Sequence, residues 1–305
     1  MLQTPTIHLG SPTQVGPLTL FPVWTDAPVP RHPLRARLPR GATIAEADGG
    51  AVVEQLTVHN PTAKAFLLAA GTVFAGGQQD RTLLAGVVVG AQSTLDLEVR
   101  CVEAGRWGGG RRHQLRPRRV PLAVRGALAG VDADGPDRHD RTRRRGDQGE
   151  VWRRVAAYQQ LAPSATGSVL PALDGPGDLV DALLAHRPLP GQRGVLVGIA
   201  GHPVLLEVFD HPDLLDQQWE AIATSLAADA AFAPAVVTPG RRARIFATHV
   251  SNRPLRARGR AGTAVAAEHR DEFTVIDALV DGDTGVALPP IHLTALNARH
   301  QLVRS

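Results

Sequence analysis

The sequence predicts an α+β protein: a β-rich N-terminal body, largely antiparallel, with two or more packed helices and a C-terminal strand region. Three observations carry this. Short alternating or apolar runs separated by turn residues fill the stretch from Leu18 to Cys101. Two helical stretches with start signals of their own appear only after Gly146. The resulting order of strands, helix, hairpin, helix and strands lacks the regular alternation of a doubly wound sheet. Three regions follow: a β-rich body over 1–107, an Arg/Gly-rich surface excursion over 108–146, and a helix-hairpin-helix-strand region over 147–305 expected to form one unit with the first.

Along the chain, strands are expected at Leu18 to Trp24, Val52 to His59, Phe66 to Ala69, Leu83 to Val89 and Ser93 to Cys101, with turns at Asn60-Pro61, Gly76-Gly77 and Gly90 to Gln92. The segment from Gly108 to Gly146 carries little apolar matter to offset the entropy of ordering, which predicts an extended or mobile excursion. Asp147 and Glu150 form a D-x-x-E capping box for a helix from about Gln148 to Leu161, with Val151, Val155 and Tyr158 on one stripe and Trp152 beside it. Gly191 to Gly201 and Pro203 to Phe209 form a hairpin. Pro212 then opens a second helix, with Asp213 and Asp216 near its positive end and Leu215, Trp219, Ile222 and Leu226 along one face. Arg244 to Val250, Thr263 to Ala267, Phe273 to Val280 and Val286 to Leu296 return to strands, with a turn at Asp281 to Gly285.

Composition narrows the function classes. At 305 residues the chain can bury a substantial core. Its one cysteine excludes an intramolecular disulfide, and the start, MLQTP, lacks a basic flank and an apolar core, so no signal peptide and a cytoplasmic location are expected. The longest apolar run, Ala65 to Ala75, is too short to span a bilayer. The sequence pI near 10.3 suggests nucleic acid, but the net charge is only +4 and Lys64 is the sole lysine. Arginine in place of lysine raises pI without adding charge at pH 7.

Two segments concentrate the chemistry. In Ser93 to Cys101, Leu95, Leu97, Val99 and Cys101 share one parity and Asp96, Glu98 and Arg100 the other. Continued register carries Glu103 into the core, where its carboxylate needs a cation or donors, with Arg106 and Arg81 nearest in sequence. If the strand stops at Cys101, Glu103 instead turns to solvent. The second segment is Gly71 to Arg81, where Gln79 and Arg81 follow a glycine pair.

Four segments together resemble the ARG-and-rhodanese-phosphatase-superfamily-associated protein domain, a bacterial family. They are Gly71 to Arg81 (GTVFAGGQQDR), Cys101 to Trp107 (CVEAGRW), Gln148 to Trp152 (QGEVW) with Ser164 to Ser168 (SATGS), and Gly194 to Asp210. The CVEAGRW string is the most specific. Asp80 departs from the pattern, which is expected to carry Asn before the arginine. The resemblance implies work near NAD-derived ADP-ribose, through association with ADP-ribosylglycohydrolases and rhodanese-like phosphatases. It implies no particular reaction.

The residues therefore point to an anion-binding pocket for a small, nucleotide-like ligand. Gln79, Arg81, Trp107 and Gln148 are the expected ligand-binding residues, and Glu103 and Arg106 the expected catalytic ones. Arginine offers a rigid fork for phosphate, glutamine a neutral amide, and tryptophan a flat face for a base or ribose. Glu103 serves as acid or base, or as the anchor of Arg106. The competing reading makes the same motifs a structural knot in a noncatalytic module that positions a partner enzyme. A third is RNA binding through Arg111 to Arg119 and Arg138 to Arg145, opposed by the interleaved aspartates and the lack of stacking aromatics. Cys101 is expected to be a buried core thiol. No sequence feature pairs His113, His249 or His292 with a carboxylate. No zinc or calcium pattern is complete, and no cofactor is expected.

Overall fold

A computed structural model of the chain describes residues 2–131, 145–160, 162–231, 233–282 and 289–304. Within them the fold is α+β, with a closed barrel set beside a large antiparallel sheet. The barrel closes in the order Ser93–Cys101, Gln55–Asn60, Thr43–Ala45, Arg112–Arg119, Thr72–Gly76 and Arg81–Leu83. Alternate residues of each strand point inward, and Ile44, Leu56, Val58, Phe74, Leu83, Leu97 and Val99 fill the narrow interior.

The sheet orders Ile7–Leu9, Leu18–Thr25, Gly194–Ile199, His202–Phe209, His292–Asn297, Thr274–Asp281, Ala264–Arg270 and Arg256–Ala261. Its central strands are buried on both faces. The helices Pro212–Ala230 and Leu122–Ala129 pack on one face with Leu205 and Phe209, and Gly240–Val250 packs on the other with Leu206 and Val208. Double coverage explains why the hairpin strands read as nearly unbroken apolar runs rather than alternating ones. The whole barrel is thus inserted between Thr25 and Gly194, two ends that pair side by side within the sheet.

Both expected helices form. Asp147 accepts from the Glu150 N–H at 2.9 Å to open Gln148–Gln159, while the Glu150 carboxylate pairs with Arg154. Pro212 occupies the first turn of Pro212–Ala230, and the preceding His211 caps it by accepting from the Asp213 N–H.

Several expectations are corrected. Leu83 to Val89 is two strands: Arg81–Leu83 stays in the barrel, and Val87–Val89 pairs with Phe66–Leu68 outside it. Arg244 to Val250 is helical, within Gly240–Val250, because Ala243, Phe246, Ala247 and Val250 recur at helical spacing and are all buried. The expected surface excursion contains the barrel strand Arg112–Arg119 and the helix Leu122–Ala129, all of whose residues are buried. Its apolar matter is concentrated in Val120 to Ala129, and its charges hid the alternation that places His113 and Leu115 inside. The arginines from Arg138 to Arg144 and the aspartates among them lie outside the described residues, as do 283–288, which include most of the turn expected at Asp281 to Gly285 and the start of the strand expected from Val286.

Candidate functional site

One end of the barrel is polar. Pleat parity puts Glu46, Arg81, Cys101 and His113 on the same inward side as Ile44, Leu83, Val99 and Leu115. Register brings them to a common level: Cys101 lies opposite Arg81, Arg81 opposite Phe74, and His113 opposite Ile44 and Gly76. All four side chains are buried. The barrel therefore has an apolar floor and a mouth layer of one cation, one carboxylate, one imidazole and one thiol.

The loop between Thr72–Gly76 and Arg81–Leu83 is clamped from two sides. On one side Glu46 Oε1 accepts from the Gln78 N–H at 3.1 Å and lies 3.0 Å from His113 Nε2. Gly77, at φ +59, leaves room for that imidazole: a Cβ there would lie 2.0 Å from His113 Nε2. On the other side Glu103 is buried and accepts from the Asp80 N–H at 2.8 Å, from Arg106 Nε at 2.9 Å and from Arg106 Nη2 at 2.6 Å. The Ser93–Cys101 strand ends before Glu103, which then meets Ser168 in an isolated bridge. Of the two cations near it in sequence, Arg106 is its partner. Burial alone would raise the Glu103 carboxyl, but hydrogen bonds from Arg106, Thr166 and Asp80 hold it below the ordinary range.

The remaining Arg106 donors go to the Gly77 and Gly108 carbonyls, at 2.7 and 3.1 Å, and to Gly76 O and Asp80 Oδ1, both at 3.4 Å. Asp80 also accepts from the Gly76 N–H and from Ser168 Oγ. Each of these contacts to Asp80 is a donor, which suits a carboxylate at the position where Asn was expected.

Gln79 and Arg81 form the inner part of the loop. Gln79 Nε2 donates to Glu103 O at 2.8 Å, and its Oε1 accepts from Arg81 Nη1 at 2.9 Å and from Cys101 Sγ at 3.1 Å. Arg81 Nη1 also contacts Cys101 Sγ at 2.8 Å. Burial pushes the Cys101 thiol up, against the opposing pull of Arg81. The other edge of the Arg81 guanidinium, Nε and Nη2, has no hydrogen-bond partner among the described residues, although the side chain is completely buried. Trp107 stands over it with its ring centroid 5.7 Å away and is itself 58% exposed.

These motifs sit where a sequence profile also matches. The profile of the ARG and Rhodanese-Phosphatase-superfamily-associated Protein domain covers residues 6–295. The chain belongs to that family. Its barrel, both clamps of the mouth loop and all but the last two residues of its sheet lie within the match. No curated protein and no solved structure matches the chain.

Within this family member, Gln148 clips the strand beside the mouth. Its Oε1 accepts from the Cys101 N–H and its Nε2 donates to Cys101 O, both at 2.9 Å. Gln148 also lines a cavity of about 650 Å³ with Arg100, Arg145 and Arg258. All three histidines that lacked a visible partner in sequence have a carboxylate nearby: Glu46 for His113, Asp271 for His249 and Glu207 for His292. Glu46 carried no sequence signal. Only the pairing of Thr43–Ala45 with Arg112–Arg119 brings it to His113.

Among the described residues, four of the arginines proposed for RNA are engaged in ion pairs. Arg119 is buried against Glu207, Arg118 pairs with Asp174, Arg111 with Asp48 and Arg145 with Asp277. Among the described residues no group of three or more His, Cys, Asp or Glu side chains is arranged to hold a metal, and no helix is long and apolar enough to cross a membrane.

Proposed function

We propose that this chain binds a nucleotide-derived anion of the ADP-ribose type at the barrel mouth. The free Nε/Nη2 edge of buried Arg81 carries the reading. Those two N–H groups form the side of the guanidinium that takes a phosphate or carboxylate bidentately. Gln79 holds the opposite edge and so fixes the direction in which the fork points. Exposed Trp107, on a glycine-flanked segment, supplies a flat face for a base or ribose and must swing off Arg81 for an anion to enter. In this reading Glu103 and Arg106 are positioning residues, which keep the loop in the shape that presents Arg81. The family name records association with other enzymes and is consistent with such a ligand.

The partner-binding module has one observation in its favour: the polar atoms of Gln79, Glu103, Arg106 and Gln148 make bonds within the chain. A thermal-shift titration with ADP-ribose, NAD, AMP and inorganic phosphate at two salt concentrations separates the readings. A ligand at 100 times its dissociation constant adds about 2.7 kcal/mol and raises the midpoint by several degrees. A rise selective for ADP-ribose and lost in Arg81→Lys, which keeps the charge but not the fork, supports the pocket. No rise with any of the four ligands favours the module.

A further inference from the structure

The Arg81 fork is not alone in the mouth layer. Glu46 Oε2 and His113 Nδ1 also make no hydrogen bond among the described residues, and both side chains are almost fully buried. Burying such atoms without partners is unfavourable. Their demands are opposite to that of Arg81. The fork supplies two donors, whereas Glu46 Oε2 is an acceptor. In the neutral imidazole, the tautomer with its proton on Nε2, facing the carboxylate, leaves Nδ1 as a second acceptor.

A small group satisfies both halves when it carries acceptors for the fork, for which an anion is the strongest match, and, close beside them, neutral O–H donors. An ammonium would also donate, but it would sit next to the Arg81 cation. The dianion of a phosphate monoester without hydroxyls satisfies the fork and leaves the acceptors unmet. A six-stranded barrel is too narrow to admit more than the end of a ligand, and strand register sets Arg81 and His113, with Glu46 two residues beyond Ile44, at the same end of it.

We propose that the mouth takes the hydroxylated sugar-phosphate end of its ligand. The phosphate lies on Arg81 Nε and Nη2, ribose hydroxyls donate to Glu46 Oε2 and His113 Nδ1, and the base stays outside against Trp107. Glu46 and His113 are then the residues that distinguish a sugar phosphate from a simple phosphate. This rests on the reading of Arg81 as the anion site and adds which end of the ligand enters.

Calorimetric titration of the full chain with ribose 5-phosphate and with methyl phosphate, a monoester without hydroxyls, tests it at pH 8. Hydrogen bonds to a charged acceptor predict ribose 5-phosphate binding at least about tenfold tighter in the wild type. That ratio is expected to drop below about threefold in Glu46→Gln, which keeps the size and removes the charge. His113→Leu provides a second reading of the same ratio if the first variant folds poorly. Equal affinities in the wild type overturn the hydroxyl-reading role and leave the anion site standing. A ratio that survives in both variants also overturns it. Binding of neither compound removes the anion site and this inference together.

Discussion

Arg106 illustrates how a residue in a family motif can serve the fold. All five of its donors end on carboxylates and carbonyls that belong to the mouth loop and its neighbours. Removing one partner of a buried ion pair costs about 3–5 kcal/mol, and the partial exposure of Arg106 lowers the expectation for Arg106→Ala to about 2–3 kcal/mol, read by urea unfolding. Trp107→Ala, on an exposed ring, is expected to change stability by less than about 0.5 kcal/mol while weakening ADP-ribose binding roughly tenfold. Comparable stability losses in the two variants would contradict this division of labour. Another residue sets a pH dependence. Burial raises the Asp229 carboxyl to about 7 despite hydrogen bonds from the Leu122 N–H and the Tyr158 hydroxyl. The folded state then holds more protons than the unfolded one between about pH 4 and pH 7, so stability falls as pH rises through that window, by up to about 1.4 kcal/mol per unit. Asp210, also raised to about 7 by burial, acts with the same sign. Urea midpoints at pH 4.5, 5.5 and 6.5 should show a shallower decline in Asp229→Asn than in the wild type.

At the scale of the element, what the sequence revealed depended on whether a segment buries one face or all of them. Ser93–Cys101 alternates because one face is wet, but the strand ends before Glu103, which is buried by its bonds to Arg106 and to the Asp80 N–H rather than by continued register. Leu122–Ala129 is buried all round and carries Arg125 within it, so no amphipathic period marks it. Arg244 to Val250 reads as a strand because Ile245, Phe246, Thr248 and Val250 favour strands individually, whereas the spacing of the buried set is helical. The acceptor half of the mouth was illegible for a different reason. Glu46 and His113 are far apart in sequence and meet only when the barrel closes. Gly76-Gly77 reads as a turn in the sequence, and the structure adds a packing requirement. Gly77→Ala combines a left-handed backbone with a collision against His113, and a loss of about 2–4 kcal/mol is expected. Gly49→Ala, where a Cβ meets nothing within 4 Å, is the control and should leave the thermal midpoint in place.

Across the whole molecule, barrel and sheet are joined by a buried charge network. Glu207, on a central sheet strand, accepts from Arg119 at 2.7 Å and also pairs with Arg125, while Arg119 Nη2 donates to Gln218 on the long helix. Burial opposes ionisation of Glu207, yet the two guanidiniums hold its carboxyl well below the usual range. Glu207→Gln leaves two buried cations without a counter-ion, and a loss of about 3–5 kcal/mol is expected. Hydrogen exchange should quicken in Arg112–Arg119 and Leu122–Ala129 more than in the outlying strand Ala264–Arg270. Uniform quickening would show that the network does not act locally at that junction.

The insertion of the barrel also orders events in time. Leu18–Thr25 pairs on one side with Gly194–Ile199, so that edge of the strand cannot be completed until everything up to Gly194 has been synthesised, on the order of ten seconds at typical translation rates. The barrel needs nothing beyond Arg119 to close its ring of strands. A nascent chain halted shortly before Gly194 would therefore carry a closed barrel beside an apolar strand with one edge still open, the form in which a chaperone would first meet it.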